Sequence, residues 1–238
     1  MLFPAPLTPG TLIKRYKRFL ADVRLGNGDI ITAHCANPGA MTGLNMPGLP
    51  VLLSRSDNPK RKLKYSWELT QVDDGGGPVW VGINTAHPNA LVAEAIAAGT
   101  LADLAGYDTM RREVRYGKNS RVDILLESDG KPPCYVEVKN VHLMRRPGLA
   151  EFPDSVTARG AKHLAELAAM VEAGNRALMV YLVQRPDAAR LSLAADIDPA
   201  YARAFADAQA RGVEAMAIGC TITPDEIIAQ NMIPIEFA

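Results

Sequence analysis

The sequence predicts two successive domains, a small all-β barrel over residues 1–83 and a mixed α/β domain over residues 84–238. Three observations carry that reading. About five short apolar stretches, separated by Gly, Pro and Asp clusters, crowd into the first eighty residues, as in a small barrel. From residue 88 the apolar period gives the order helix, three strands, helix, strand. Charge divides at nearly the same place. Residues 1–82 hold ten Lys and Arg against six Asp and Glu, and the rest hold sixteen against twenty, although the whole chain is neutral. A basic first part and a carboxylate-rich second part suit a polyanion-binding module joined to a metal site.

Taken in order, Phe19, Ala21, Val23 and Leu25 alternate with polar neighbours, so residues 11–25 read as one half-buried strand. Gly26-Asn27-Gly28-Asp29 is a hairpin turn, and Ile30 to His34 is the returning strand. Further strands are expected at 50–54, 63–71 and 78–83. Two stretches interleave basic and aromatic residues: Lys14, Arg15, Lys17 and Arg18 with Tyr16 and Phe19, and Arg61, Lys62 and Lys64 with Tyr65 and Trp67. Such a surface holds phosphates and stacks bases. The plainer reading puts Phe19 and Trp67 in the core and the basic residues on a solvated face.

Residues 84–89 read as a linker, and residues 90–105 as an Ala-rich helix that Gly99 interrupts or ends. Residues 111–116 predict a strand turning at Gly117-Lys118-Asn119, and residues 121–127 and 134–139 predict a hairpin. A loop bearing Arg145 and Arg146 follows. Residues 155–173 predict a helix, with Asp154 or Ser155 as N-cap and Gly174 just past its end. An apolar run at 177–183 suits a buried strand. A helix at 198–210, a strand at 213–218 and a helical turn or two near Pro224 complete the chain.

Several function classes are excluded. Cys35, Cys134 and Cys220 are widely spaced and match no zinc pattern, which also favours a reducing compartment. The opening residues do not form a signal peptide, and no run is long enough to span a bilayer, so a cytoplasmic protein without a membrane partner is expected. There is no dinucleotide-binding glycine fingerprint, P-loop or nucleophile elbow.

The chemistry concentrates between residues 121 and 139. If the two strands there pair as a hairpin, Asp123 lies beside Glu137, and Lys139 shares Glu137's face. Two carboxylates at short range repel and raise each other's pKa. A hard divalent cation, Mg²⁺ or Mn²⁺, relieves that repulsion. Lys139 would then orient water or neutralise charge growing on a phosphate. Asp123, Glu137 and Lys139 are the candidate catalytic residues, with Asp123 and Glu137 as metal ligands. Glu94 completes the shell through water only if its helix leans over the hairpin; surface exposure explains it more simply. Arg121, and Arg159 and Lys162 at the start of the helix after 154, are further candidates for phosphate contact, while His163 alone carries little weight.

The spacing Asp-x13-Glu-x-Lys resembles the core of the PD-(D/E)XK nuclease superfamily, with Val122 in place of its proline. Five longer segments together resemble the sugar fermentation stimulation protein A (SfsA) family: residues 34–41, 82–85 with Pro88-Asn89, 120–123, 136–140 and 152–164. His142, Leu143 and Ser155 depart slightly from that family's pattern. The resemblance implies an OB-like barrel, a PD-(D/E)XK nuclease-like α/β domain and DNA binding. The expected function is a DNA-binding protein with a Mg²⁺-dependent phosphodiesterase site; RNA as a substrate and a homodimer remain open. The rival reading is a non-catalytic, largely sequence-independent DNA-binding regulator of sugar metabolism. A sugar-directed enzyme is suggested by the family name alone.

Overall fold

Alternating apolar residues close the N-terminal half into a barrel. The computed structural model describes residues 1–117 and 120–236. Its first strands are β1 Thr8–Tyr16, β2 Leu20–Leu25, β3 Ile30–Cys35, β4 Pro50–Arg55, β5 Tyr65–Val72 and β6 Val79–Gly82. They lie in the order β3-β2-β1-β4-β5-β6, and a parallel pairing of β3 with β5 closes an OB-type barrel of five strands. Leu12, Ala21, Val23, Leu53 and Trp67 fill it. The Trp67 indole N–H donates to the Leu69 carbonyl at 3.0 Å, so the barrel's largest side chain leaves no orphaned donor.

The single strand expected over residues 11–25 is two strands. Lys17 and Arg18 take left-handed φ angles of 49° and 61°, as in a tight hairpin turn, and Tyr16 pairs with Leu20. Neither residue is Gly or Asn, so nothing in the composition marks the turn.

The second half contains α1 Pro88–Ala97, a 3₁₀ turn at Ala102–Leu104, β7 Thr109–Tyr116, β8 Ser120–Glu127 and β9 Cys134–Val141. The helix expected over 90–105 ends early because Gly99 turns the chain at φ 73°. Of the turn predicted after β7, Lys118 and Asn119 lie outside the described residues. Where a loop was expected, β10 Leu143–Arg146 and β11 Leu149–Phe152 form a hairpin. Next come α2 Ala158–Glu172, β12 Arg176–Val183, β13 Arg190–Leu193 and α3 Pro199–Ala210, then β14 Glu214–Ile222, β15 Ile227–Ile233 and β16 Ile235–Glu236. The helical turn expected near Pro224 is absent from the described residues. There the chain turns into β15, which pairs antiparallel with β14 and buries Ile227 and Ala229, two residues apart.

The cap of α2 is Thr157, not Asp154 or Ser155; its hydroxyl accepts from the Gly160 N–H at 3.1 Å. Asp198 caps α3 through Tyr201 and also accepts from the Thr157 N–H at 2.7 Å, tying the two helix starts together.

The main sheet runs β15-β14-β12-β9-β8-β7. Its middle strand β12 is apolar on both faces, as a covered sheet requires. Leu178, Val180 and Leu182 pack in the core with α1, and Met179, Tyr181 and Val183 pack in the core with α2 and α3. The barrel is fastened to this domain by Leu52 and Leu69, which enter the α1-side core, and by a Gly82 N–H to Gln184 carbonyl bond of 3.0 Å. The first residues do not belong to the barrel as the sequence suggested. Met1, Phe3 and Leu7 pack against the second domain's core, and Leu2 bridges to Glu226. No helix among the described residues is long and apolar enough to cross a membrane.

Candidate functional site

The β8–β9 hairpin pairs Ile124 with Val136, Leu125 with Tyr135 and Leu126 with Cys134. One step further the ladder stops, with Asp123 and Glu137 at the next matching positions. There the Asp123 side chain takes over from the backbone: Oδ2 accepts from the Val138 N–H at 2.7 Å. Oδ1 accepts from Asn89, in the first turn of α1, at 2.8 Å. Asn89 also reaches Glu113 Oε1 at 3.3 Å. Glu113 stands opposite Asp123, between the pairs Arg112–Ile124 and Val114–Val122, in a left-handed backbone at φ 54°. Sequence reasoning passed over Glu113 because only the strand register brings it to the site.

Glu137 is 2% exposed. Its Oε1 accepts from the Lys139 ammonium at 2.8 Å and is in close contact with His163 Nδ1. Arg159 Nε donates to His163 Nε2 at 3.2 Å, which assigns the ring proton to Nδ1 and aims it at Glu137. Oε2 of Glu137 has no partner, and the same holds for the buried Tyr116 hydroxyl and for Glu166 Oε2. Buried polar atoms are rarely left unpaired, so three in one neighbourhood call for an explanation.

The electrostatics separate the two carboxylates. Burial and then the charge of Glu137 push the Asp123 pKa up, against the Val138 N–H and Lys139. Burial also pushes Glu137 up, but His163 and Lys139 outweigh it and hold Glu137 below its ordinary value. Tyr116 is pushed far up by burial and by the charges of Glu137, Glu166 and Asp123, so its hydroxyl keeps its proton.

The remaining candidates divide. Glu94 does not join the pair: its carboxylate meets the Met1 ammonium at 2.7 Å, five residues along α1 from Asn89 and so on another face. Arg121, two residues before Asp123 in β8, lies directly opposite Arg115; both are exposed. Like charges so placed disfavour the pairing unless an anion lies between them. Arg115 was another residue that sequence reasoning missed. Arg159 is committed to His163, and Lys162 lies 3.7 Å from Glu166. His163, weak as a lone histidine, is the residue the structure promotes most; its i,i+4 spacing from Arg159 on a helix was the available signal.

In the barrel, Arg15 is not a free phosphate contact. Its guanidinium donates to the carbonyls of Asn37, Gly39 and Arg18 at 2.8, 2.9 and 3.0 Å. Lys14 lies 3.6 Å from Asp22, Arg61 donates to Ser66 at 2.5 Å, and Lys64 donates to the Asn58 carbonyl at 3.0 Å. Lys17, Arg18 and Lys62 are exposed. Trp67 is core, whereas Phe19 is 46% exposed beside Arg18.

Among the described residues, no group of three or more His, Cys, Asp and Glu side chains is disposed to hold a metal ion as it stands. The residues fit a hard cation nonetheless. The unpartnered Glu137 Oε2 and the Asp123 carboxylate are the oxygen donors that Mg²⁺ takes, one or two carboxylates with waters filling the rest.

A closed OB barrel followed by an α/β sheet whose central hairpin carries Asp123, Glu137 and Lys139 defines a two-domain protein with a nuclease-like second domain. The chain belongs to the sugar fermentation stimulation protein (SfsA) family. Residues 13–83 match the model described as the SfsA N-terminal OB domain, and residues 86–226 match the sugar fermentation stimulation protein RE domain. A sugar fermentation stimulation protein homolog of Azorhizobium caulinodans is 60% identical over 98% of this chain and 99% of its own length. A homolog of Maricaulis maris is 55% identical over the whole of both chains. Among solved structures, Pyrococcus furiosus SfsA in complex with Ca²⁺ superposes with a TM-score of 0.87 at 27% identity, covering 99% of this chain and 98% of that one.

Proposed function

We propose that this protein binds DNA and hydrolyses its phosphodiester bonds with Mg²⁺ or Mn²⁺ held by Asp123 and Glu137. The observation that carries the reading is the Glu137 carboxylate, buried to 2% exposure with one oxygen bonded twice and the other unpaired. A buried carboxylate kept charged beside a second one costs stability unless something cationic uses it. The Ca²⁺ bound by the Pyrococcus furiosus relative supports a divalent ion for this chain too. A bound cation would offset the repulsion of the two carboxylates, polarise a phosphoryl oxygen and lower the pKa of a water.

The chain's own residues supply the rest. Asn89 and the Val138 N–H fix the Asp123 carboxylate. His163, steadied by Arg159, holds Glu137 so that Oε2 stays turned away from Oε1's partners. The Lys139 ammonium, 2.8 Å from Glu137, positions a water or meets negative charge developing on the phosphate. Arg115 and Arg121, exposed and paired across β7 and β8, would take flanking phosphates of the strand. With no helix-turn-helix or zinc module among the described residues, binding is phosphate-driven and weakens steeply with salt.

The test is a cleavage screen over single-stranded, duplex, flap and junction DNA and over RNA, with and without Mn²⁺, beside Lys139→Ala. Metal-dependent cutting that Lys139→Ala removes supports the reading; no cutting of any form sinks it. One observation favours the rival, non-catalytic regulator: both Asp123 oxygens already have partners. Tight DNA binding without cleavage in that screen, largely independent of sequence, would establish it.

A further inference from the structure

Four of the five segments that mark the family meet far from one another in sequence, around a cleft of about 750 Å³ between the barrel and the second domain. A cavity of that size accommodates a small organic ligand. Its walls are built rather than accidental. Arg15 spends its guanidinium on the carbonyls of Asn37 and Gly39, 2.8 and 2.9 Å away, and so holds the barrel-side wall in shape. Facing it is Asp154, which accepts from the Met41 N–H at 3.2 Å across the domain boundary. A Cβ on Gly39 would collide with the Asp154 carboxylate, so only glycine lets the two walls approach this closely.

Two groups in this cleft, Arg18 and Val156, are left over from that construction. Arg18, thrust forward by its left-handed turn, is exposed at the mouth with no carboxylate partner among the described residues. His142, 5% exposed, receives the Asn140 amide at Nδ1, which leaves its proton on Nε2. That Nε2 faces Asp154 Oδ2 at 3.3 Å and is sealed from solvent, so His142 pairs with the Asp154 wall and helps to hold it in place. Val156, on the second-domain lip, is 73% exposed.

We infer that this interdomain cleft seats one nucleotide of a single strand, with its phosphate on Arg18 and its base against the apolar lip at Val156. A free cation and an apolar face are two things a nucleotide presents partners for, its phosphate and its base. A sugar phosphate would use Arg18 equally, but it gives no reason for an exposed valine at the mouth. The inference deepens the nucleic-acid reading above by naming a single strand as the substrate class. Its ligand class rests on that reading, while the cleft itself does not need cleavage to occur.

The test is fluorescence anisotropy of 3′-labelled pentathymidylate on the full-length protein in EDTA, where no cutting takes place. Wild-type protein is expected to bind it, and Arg18→Glu and Val156→Asp, both at exposed positions that should fold normally, are each expected to weaken binding tenfold or more. Lys60→Glu, an equal change of charge on an exposed barrel loop, is expected to weaken it less than threefold. No binding by wild type, unchanged binding by Arg18→Glu and Val156→Asp, an equal loss with Lys60→Glu, or displacement by glucose 6-phosphate as readily as by unlabelled pentathymidylate would each overturn the inference. Protein that binds the pentamer through this cleft but cuts nothing with Mn²⁺ would refute the phosphodiesterase and leave the cleft standing. Protein that cuts but ignores the Arg18 and Val156 changes would do the reverse.

Discussion

Two buried glutamates in this molecule each have a histidine partner, and they differ in what is left over. Glu68, in barrel strand β5, is 4% exposed. Its Oε1 accepts from Ser54 at 2.6 Å, and its Oε2 accepts from Asn84 and meets His87 Nε2, both at 2.7 Å. Burial pushes its pKa up and these partners more than reverse it. Glu137 is buried as deeply and is likewise held below its ordinary pKa, yet one of its oxygens is empty and a second carboxylate, pushed the other way, stands beside it. A saturated buried carboxylate fastens parts of a structure together, here β4, β5 and the start of α1. An unsaturated one keeps a valence for something that arrives later.

The largest expected effect breaks the comparison outright. Asp123→Ala or Glu137→Ala should lower metal-dependent cleavage by about a thousandfold, the scale of losing a main charge-stabilising group, while duplex affinity in a gel-shift assay stays within a few-fold. Glu68→Ala should do the opposite. It strands the buried Asn84 and the half-buried His87 and Ser54, so urea unfolding should show a loss of about 3 kcal/mol, with cleavage per folded molecule unchanged. Equal loss of cleavage in the Glu68 variant would erase the distinction.

Adding Mn²⁺ sharpens it. At a concentration far above the dissociation constant, wild-type Tm should rise by roughly 4 °C or more by calorimetry. Glu68→Gln should keep that rise and Asp123→Asn should lose it.

Acid titration separates carboxylates by sign. Asp154 is buried but held down by His142 and the Met41 N–H, to about 2 from an ordinary 3.8. Its contribution is fully present above 3.8 and is lost as pH falls through about 2. Asp154→Asn should therefore cost about 2 kcal/mol at pH 7 and almost nothing at pH 2. Asp123 is raised, so its ionisation destabilises the metal-free protein at every pH above its shifted value. Asp123→Asn should stabilise that protein at pH 7, with the gain vanishing below 3.8. Urea midpoints for both variants across pH 2–7 check the crossing.

The smallest effect concerns Glu94. Its carboxylate is 55% exposed and paired with the chain's amino terminus, so Glu94→Ala should change stability by less than about 1 kcal/mol and leave cleavage and the Mn²⁺ response intact. Loss of the Mn²⁺ response would return Glu94 to the metal shell.

Much of this architecture was legible in the chain because it depends on local periodicity. The two-residue alternation of β8 and β9 placed Asp123 beside Glu137 and Lys139 on Glu137's face, and the apolar run of β12 marked a strand covered on both sides. The failures were also local in origin. The Lys17-Arg18 turn lacks turn residues, β10 and β11 are four residues each, and Asp154 looked like a cap because it precedes a helix. Asp154 instead reaches 113 residues back, to Met41.

Sequence by itself determined the domain order, the central hairpin and the identity of its three charged residues, since strand pleat and helix period act within a few residues of the chain. Only the tertiary structure decided which distant side chains complete the site and which stay away: His163 on Glu137, Asn89 and Glu113 about Asp123, Glu94 elsewhere, and a cleft walled by both domains. Those choices follow from how helices and the barrel pack on the sheet, and packing sums many weak contacts that no short stretch of chain records.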